Sequence, residues 1–281
     1  MQQKIQTVST LLDALPFIKR FYGEIVVIKY GGAAQVDPVL KDKFAQDVVL
    51  LSLVGLKPVI VHGGGKSITE LSDKLGLKTE FKDGLRVTDR AALRVAEMVL
   101  SGEINSEIVS LLNDHGARAI GMSGKDAGSI HARGMEGLGY TGEVTEVNAD
   151  VIMRLINDRF IPVIAPIAAS REAGHPGFNI NADTAASAIA ASLRARKVVF
   201  MTDTPGVLDR DKKLLNSLSR SEVEGLKNDG TIQGGMIPKV DAALHAVEGG
   251  VEKAHILDGR IEHALLLEIF TSQGVGTEII R

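Results

Sequence analysis

Apolar residues fall along the chain in two alternating textures. Short continuous runs, such as Val26-Val27-Ile28 and Val59-Ile60-Val61, have the length and β-branching of buried strands. Between them, apolar positions return at helical spacing: Leu40, Phe44, Val48 and Leu51 after the cap Asp37-Pro38, and Ile68, Leu71 and Leu75 before Gly76. A first helix is predicted from Ser9, with Leu11, Leu12, Leu15 and Ile18 on one side and Pro16 bending it. Further strands are predicted at residues 117–122, 160–166, 197–201 and 254–257, with an Ala-rich helix over 183–193. Residues 129–147 break the rhythm with short β runs and Gly134, Gly137, Gly139 and Gly142, which predicts an antiparallel insert beside the sheet. Strands alternating with helices predict an α/β fold whose open, mainly parallel sheet lies between helices. A boundary between two lobes is expected at residues 170–178, where Gly, Pro and charged residues interrupt the core pattern.

Three of these strands end in glycine turns: Lys29-Tyr30-Gly31-Gly32, His62-Gly63-Gly64-Gly65 and Thr202-Asp203-Thr204-Pro205-Gly206. Glycine lets bare backbone N–H groups face an anion, and a helix N-terminus beyond the turn adds positive potential. The first two turns, one with Lys29 on its strand, point to a phosphoryl group held from both sides. Composition narrows the partners. With 281 residues, a net charge of −3 and no basic block, the chain suits one sizeable domain or two joined lobes acting on small anions. Nucleic acid and anionic membranes are not expected as partners. The longest apolar stretch, residues 48–56, falls far short of the ~18 residues of a membrane span, and no signal peptide is visible. The chain has no Cys, which excludes disulfides, thiolate catalysis and Cys-ligated zinc and fits a cytoplasmic enzyme.

Most single residues have an ordinary explanation. Gly65-Lys66-Ser67 looks like the tail of a P-loop, but Ile60 stands where its first glycine belongs. Asn-Ala-Asp occurs at residues 148–150 and again at 181–183, each time before an apolar helix, and capping explains either copy. The seven histidines show no metal spacing, so His62 reads as a strand-end packing or hydrogen-bonding residue. Taken alone, Lys29, Arg86 and Lys239 are solvated charges. Their conjunction in order along the chain changes this reading.

Val-Ile-Lys-Tyr-Gly-Gly at 27–32, Val-Ile-Val-His-Gly-Gly-Gly at 59–65, Gly-Leu-Arg-Val-Thr-Asp at 84–89, Asn-Ile-Asn-Ala-Asp-Thr-Ala-Ala at 179–186 and Gly-Gly-Met-Ile-Pro-Lys-Val at 234–240 stand in one order. Together they resemble the acetylglutamate kinase family of the amino-acid kinase superfamily, over nearly the whole chain. The resemblance implies the amino-acid kinase fold, with a lobe at 23–178 holding N-acetyl-L-glutamate and one at 179–281 holding ATP. It implies transfer of the ATP γ-phosphoryl group to the γ-carboxylate, giving an acyl phosphate in arginine biosynthesis. Lys29 and Lys239 would flank the transferring group, Asp183 would orient both ammoniums, and the N–H groups of Gly32 and Gly64 would contact the phosphoryl oxygens. Arg86 would hold the substrate's α-carboxylate, Asn179 would bond the same substrate, and Asn181 would support it or cap the helix; Gly65 belongs to the same site. The nucleotide would be met by Gly31, Asp203, Thr204, Gly206, Val207, Leu208, Thr231 and Gln233 as well as by the two lysines. Gln233 departs from the small Ser or Thr of many relatives. Mg²⁺ would be carried by the phosphates and water, with no protein metal site.

Beyond the core motifs, residues 9–22 resemble the extra N-terminal helix of the arginine-inhibited members, in which such helices join three dimers into a hexamer, and residues 1–22 are expected to serve that role. His255, Glu268, Gly274 and Gly276 resemble their L-arginine pocket. Two other readings stay open at this stage: a kinase for N-acetyl-2-aminoadipate, one methylene longer, and a nucleotide-binding protein of the same fold without turnover.

Overall fold

The computed structural model describes residues 1–271 and 274–281. Helix α1 (Gln2–Phe21) leads into strand β1 (Ile25–Tyr30), a 3₁₀ turn (Gly32–Gln35), helix α2 (Pro38–Leu53), strand β2 (Lys57–His62) and helix α3 (Gly65–Lys74). A hairpin of β3 (Glu80–Lys82) and β4 (Leu85–Val87) precedes α4 (Arg90–Glu97), a π-helical stretch (Met98–Ile104), α5 (Asn105–Asp114) and β5 (Ala119–Gly124). Strands β6 (Ile130–Gly134) and β7 (Thr141–Val147), helix α6 (Asp150–Asn157) and strands β8 (Ile161–Ala168) and β9 (Phe178–Ile180) follow. Helix α7 (Ala182–Ser192), β10 (Lys197–Thr202), β11 (Ser217–Ser219), α8 (Arg220–Asn228) and α9 (Ile237–Glu248) come next. The chain ends with β12 (Lys253–Asp258), α10 (Ala264–Phe270) and β13 (Thr277–Ile280).

The expected α/β architecture is present. One sheet runs in the order β11-β13-β12-β10-β1-β2-β8-β9-β7-β6, with β5 also on β8. Both neighbours of β1 are parallel to it, β2 on one side and β10 on the other. The strand order therefore reverses at β1, and the carboxyl ends of these strands open the crevice where α/β proteins of this kind bind ligands. Successive residues of a strand face opposite sides of a sheet. Val27 joins the core beneath α7 and α9, whereas Val26, Ile28 and Tyr30 join the core beneath α2, α5 and α10. The same alternation places Lys29 on the α7 side.

Several boundaries and one element differ from expectation. Helix α1 starts at Gln2 rather than Ser9, since Ile5 and Val8 continue the apolar spacing upstream, and its first turn has no side-chain cap. Asp37 does cap α2, its Oδ1 accepting from Val39 N–H at 2.8 Å and Leu40 N–H at 3.1 Å, a contribution of about 1 kcal/mol. The insert at 129–147 is the antiparallel pair β6–β7, but it extends the main sheet through β9 instead of standing beside it. The separate two-stranded sheet is β3–β4, which the apolar pattern did not predict. No helix among the described residues is long and apolar enough to cross a membrane.

Candidate active site

Lys29 is the penultimate residue of β1, a strand buried from Val26 onward, and its side chain is itself buried beneath the N-terminus of α7. There its Nζ lies 3.1 Å from Asp183 Oδ1, while Lys239 Nζ donates to Asp183 Oδ2 at 2.9 Å. Oδ1 has no aligned hydrogen-bond donor among the described residues, so the Lys29 contact is chiefly one of charge with charge and leaves its N–H groups free to turn elsewhere. Burial pushes the Asp183 carboxyl upward, but the two ammoniums outweigh it and hold the group below its ordinary range. Asn181 caps α7, accepting from Asp183 N–H at 2.8 Å and Thr184 N–H at 3.1 Å, and so fixes the helix turn that carries the aspartate. The upstream copy of this tripeptide caps less fully: Ala149 holds the cap position of α6, and Asn148 Oδ1 accepts only from Asp150 N–H.

A cavity of about 220 Å³ opens beside this cluster. Its walls include Lys29, Gly63, Gly64, Gly65, Arg86, Asn179, Asn181 and Asp183, so sequence positions spread over more than half the chain converge on it. Arg86 comes from β4, directly opposite Phe81 of β3, and its guanidinium lies 4.8 Å from the Phe81 ring centroid. It donates to Gly65 O and to Thr69 Oγ1, both at 2.8 Å, and pairs with no carboxylate among the described residues. Burial lowers its pKa, partly countered by the charge of Asp73. A buried guanidinium without a carboxylate partner is a ready site for the carboxylate of a ligand. Asn179 Nδ2 donates to Thr88 Oγ1 at 3.4 Å from the floor of the same region.

The two glycine turns differ in what they require. Gly32 has φ +71, and a Cβ there would meet Asp203 Oδ1 at 2.3 Å. Gly64 is extended, but a Cβ would meet Ile104 Cδ1 at 2.4 Å and Leu100 Cδ2 at 2.7 Å. A Cβ on Gly31 would lie 3.1 Å from Lys29 Nζ, so that turn hugs the lysine. Asp203 accepts a hydrogen bond from Ala33 N–H at the start of the 3₁₀ turn, which places a carboxylate on the first glycine turn. A second cavity, of about 440 Å³, gathers Thr204, Gly206, Val207, Leu208, Thr231 and Gln233. Asp203 does not line it. Met236, on its wall, directly precedes the helix that carries Lys239.

A third cavity, of about 860 Å³, lies elsewhere, between the end of α1 and the edge formed by β12, β13 and α10. All four residues expected there, His255, Glu268, Gly274 and Gly276, line it. Glu268 Oε1 sits 2.8 Å from His255 Nε2 and 2.7 Å from Lys197 Nζ, and its Oε2 accepts from Val275 N–H at 3.1 Å. Burial pushes Glu268 up, but His255 and Lys197 prevail and hold it low. Burial lowers both His255 and Lys197 against the opposing pull of Glu268. The glycines are needed for room: a Cβ on Gly274 would meet Glu268 Oε2 at 2.3 Å, and one on Gly276, at φ +85, would meet Ile256 O at 2.1 Å.

Residues 24–258 match the amino acid kinase family. The acetylglutamate kinase of Nautilia profundicola is 63% identical over 279 residues, 99% of each chain. The chain belongs to the acetylglutamate kinase family. Among solved structures, the N-acetylglutamate synthase of Neisseria gonorrhoeae complexed with coenzyme A and L-arginine superposes with a TM-score of 0.83 at 26% identity, over 97% of this chain and 65% of the synthase. Carbamate kinase from Giardia lamblia bound to AMP-PNP shares the fold, with a TM-score of 0.71 at 18% identity over 92% of this chain and 99% of its own.

Sequence reading missed what lies behind the site. It did not anticipate the hairpin that presents Arg86, although Asp83-Gly84 is a strong two-residue turn signal and both residues have positive φ. Nor did it find the π-helical stretch, whose Leu100 and Ile104 press on Gly64. Among the described residues no group of three or more His, Asp or Glu side chains could hold a metal ion.

Proposed function

We propose that this chain transfers the γ-phosphoryl group of ATP to the side-chain γ-carboxylate of N-acetyl-L-glutamate, the acyl-phosphate-forming step of arginine biosynthesis. The observation that carries the reading is Asp183, which bridges Lys29 and Lys239 and with Lys29 lines the cavity that also holds Arg86, a buried cation without a carboxylate partner among the described residues. A carboxylate acceptor is ionised at neutral pH, so no general base is required. The difficulty is bringing two anions together. Lys29 and Lys239 neutralise charge on the transferring group, and Asp183 keeps both ammoniums aimed while each retains free N–H donors. The N–H groups of Gly32 and Gly64 take the phosphoryl oxygens, Arg86 takes the substrate's α-carboxylate, and Asn179 bonds the same molecule. Thr204 to Leu208 and Thr231 to Gln233 hold the nucleotide in the second cavity.

Both oxygens of Asp183 are engaged by lysines, so the residues fit a Mg²⁺ ion carried on the phosphates, as an octahedral ion that keeps its waters prefers. Bound there, Mg²⁺ would neutralise phosphate charge. We assign residues 23–178 to the acetylglutamate lobe and 179–281 to the ATP lobe. L-Arginine is our candidate for the third cavity, whose carboxylates and lysine and arginine side chains complement a zwitterion with a guanidinium; an L-arginine complex of the related synthase is the precedent. The apolar stripe of α1, with Ile5, Val8, Leu11 and Leu12 all exposed, supports assembly into a hexamer through this helix. A cytoplasmic location fits this chemistry.

The test is trapping of the acyl phosphate with hydroxylamine, using ATP and Mg²⁺ with N-acetyl-L-glutamate or N-acetyl-2-aminoadipate, with and without L-arginine. Turnover on N-acetylglutamate that arginine suppresses is expected. Preference for the longer acid moves the enzyme to lysine synthesis, and nucleotide binding without turnover on either acid overturns the kinase reading.

A further inference from the structure

The Gly63–Gly64 peptide is clamped from behind. Gly63 O lies 3.0 Å from His62 Nδ1 and accepts from Gln35 Nε2, also at 3.0 Å. His62 Nε2 in turn lies 3.1 Å from Asn105 Nδ2, whose other contact is a donation to Val163 O at 3.0 Å. An amide nitrogen can only donate, so Nε2 of His62 is the acceptor, and the ring proton is on Nδ1, where it donates to Gly63 O. The tautomer is thereby fixed by Asn105, and full burial keeps the ring neutral, its pKa lowered to about 4.

A carbonyl with two donors cannot rotate without losing both. In a planar trans peptide the C=O and the following N–H point in opposite directions, and no peptide among the described residues is cis. Fixing Gly63 O toward His62 and Gln35 therefore fixes Gly64 N–H away from them. That N–H has no acceptor among the described residues, and Gly64 lines the 220 Å³ cavity with Lys29 and Asp183. Leu100 and Ile104 of the π-helical stretch fill the space that a Cβ of Gly64 would need, so the peptide has no room to shift on that side. Gln35 belongs to the 3₁₀ turn opened by Gly32, so a single side chain also ties the first glycine turn to the second.

We propose that Gln35, His62 and Asn105 are positioning residues that aim the Gly64 N–H at the transferring phosphoryl group, making it a preorganised donor in the transition state. The proposal rests on the kinase reading above. Preorganised donors act on the charge that develops during reaction, so loss of the clamp lowers kcat and spares ground-state binding. Gln35 is the residue to change, because it is only half-buried and its removal leaves the core intact.

The experiment compares wild type, Gln35→Met and Gln35→Glu, measuring kcat and both KM values with N-acetylglutamate, the melting temperature, and the affinities for MgADP alone and for MgADP with aluminium fluoride and N-acetylglutamate. The expected result for Gln35→Met is a fall of about tenfold in kcat, matched by weaker binding of the aluminium fluoride complex, with both KM values, MgADP affinity and melting temperature little changed. Gln35→Glu, which sets a carboxylate against Gly63 O, should fall further. Unchanged kcat and unchanged aluminium fluoride affinity in Gln35→Met overturn the clamp while leaving the kinase reading intact. Equal losses in kcat and MgADP affinity overturn it too, because they show general damage to the turn. Absence of wild-type turnover overturns the kinase reading, and the clamp's role in transfer with it.

Discussion

Asp183 and Lys239 stand 56 residues apart in sequence and meet at 2.9 Å, with Lys29 reaching the other carboxylate oxygen at 3.1 Å. Three charges in this arrangement leave a net positive site, and the aspartate is what allows two ammoniums to stay close. Lys29→Ala or Lys239→Ala is expected to lower kcat by about 10²-fold or more with much smaller effects on KM, because such lysines act on transition-state charge. Asp183→Asn should also lose kcat, since the amide cannot balance the two lysines. Steady-state kinetics on purified variants checks this, and an unchanged kcat in either lysine variant removes the assignment.

Arg86 offers a planar fork held by Gly65 O and Thr69 Oγ1 and stacked near Phe81. A lysine would keep the charge and lose the fork and the stacking. Arg86→Lys is expected to raise the KM for N-acetylglutamate by about tenfold or more, the scale of one charged hydrogen bond, and to leave the KM for ATP near its starting value. An equal rise for both substrates would show that Arg86 does not hold the acid.

The site was legible where local chemistry announces itself. Lys29 stands out because it is the one charged residue in an otherwise apolar strand that runs into glycines, and Asn181 because it precedes an Ala-rich helix that it does cap. The hairpin bearing Arg86 was not legible: Glu80, Phe81 and Lys82 are all exposed, so β3 has no buried face to leave an alternating pattern. The early start of α1 escaped because its first turn has no capping side chain. The link from His62 to Asn105 spans 43 residues and depends on α5 packing against β5 and β8, which periodicity does not specify. The π-helical stretch keeps an apolar spacing that a sequence cannot tell from an ordinary helix.

Folding keeps His62 neutral, with its pKa lowered from 6.5 to about 4 by burial, partly offset by its bond to Gly63. The unfolded chain then binds a proton that the native state refuses, so stability is fully present above pH 6.5 and is lost as the pH falls toward 4. His255, also lowered by burial, adds to the same slope. Denaturant unfolding of wild type and His62→Gln between pH 7 and 4 should show a shallower loss in the variant. Parallel curves would mean that His62 does not titrate differently in the two states.

Helix α1 links two proposed roles, because its exposed stripe of Ile5, Val8, Leu11 and Leu12 lies N-terminal to Phe17 and Arg20, which line the 860 Å³ cavity. Arg20 also reaches Glu252 at 3.6 Å, on the same cavity wall. Removing residues 1–20 takes away the apolar stripe and two lining side chains while leaving Lys29, Asp183, Lys239 and Arg86 in place. The shortened chain is expected to remain active, to form a smaller assembly by light scattering, most simply a dimer, and to respond weakly to L-arginine. The apolar contribution lost is substantial, since burying each Leu or Ile is worth about 1.5–3 kcal/mol. A hexamer that survives the truncation would remove α1 from the interface. Full arginine inhibition after it would show that the pocket needs neither Phe17 nor Arg20, and loss of activity would mean that α1 supports the catalytic core instead of the assembly.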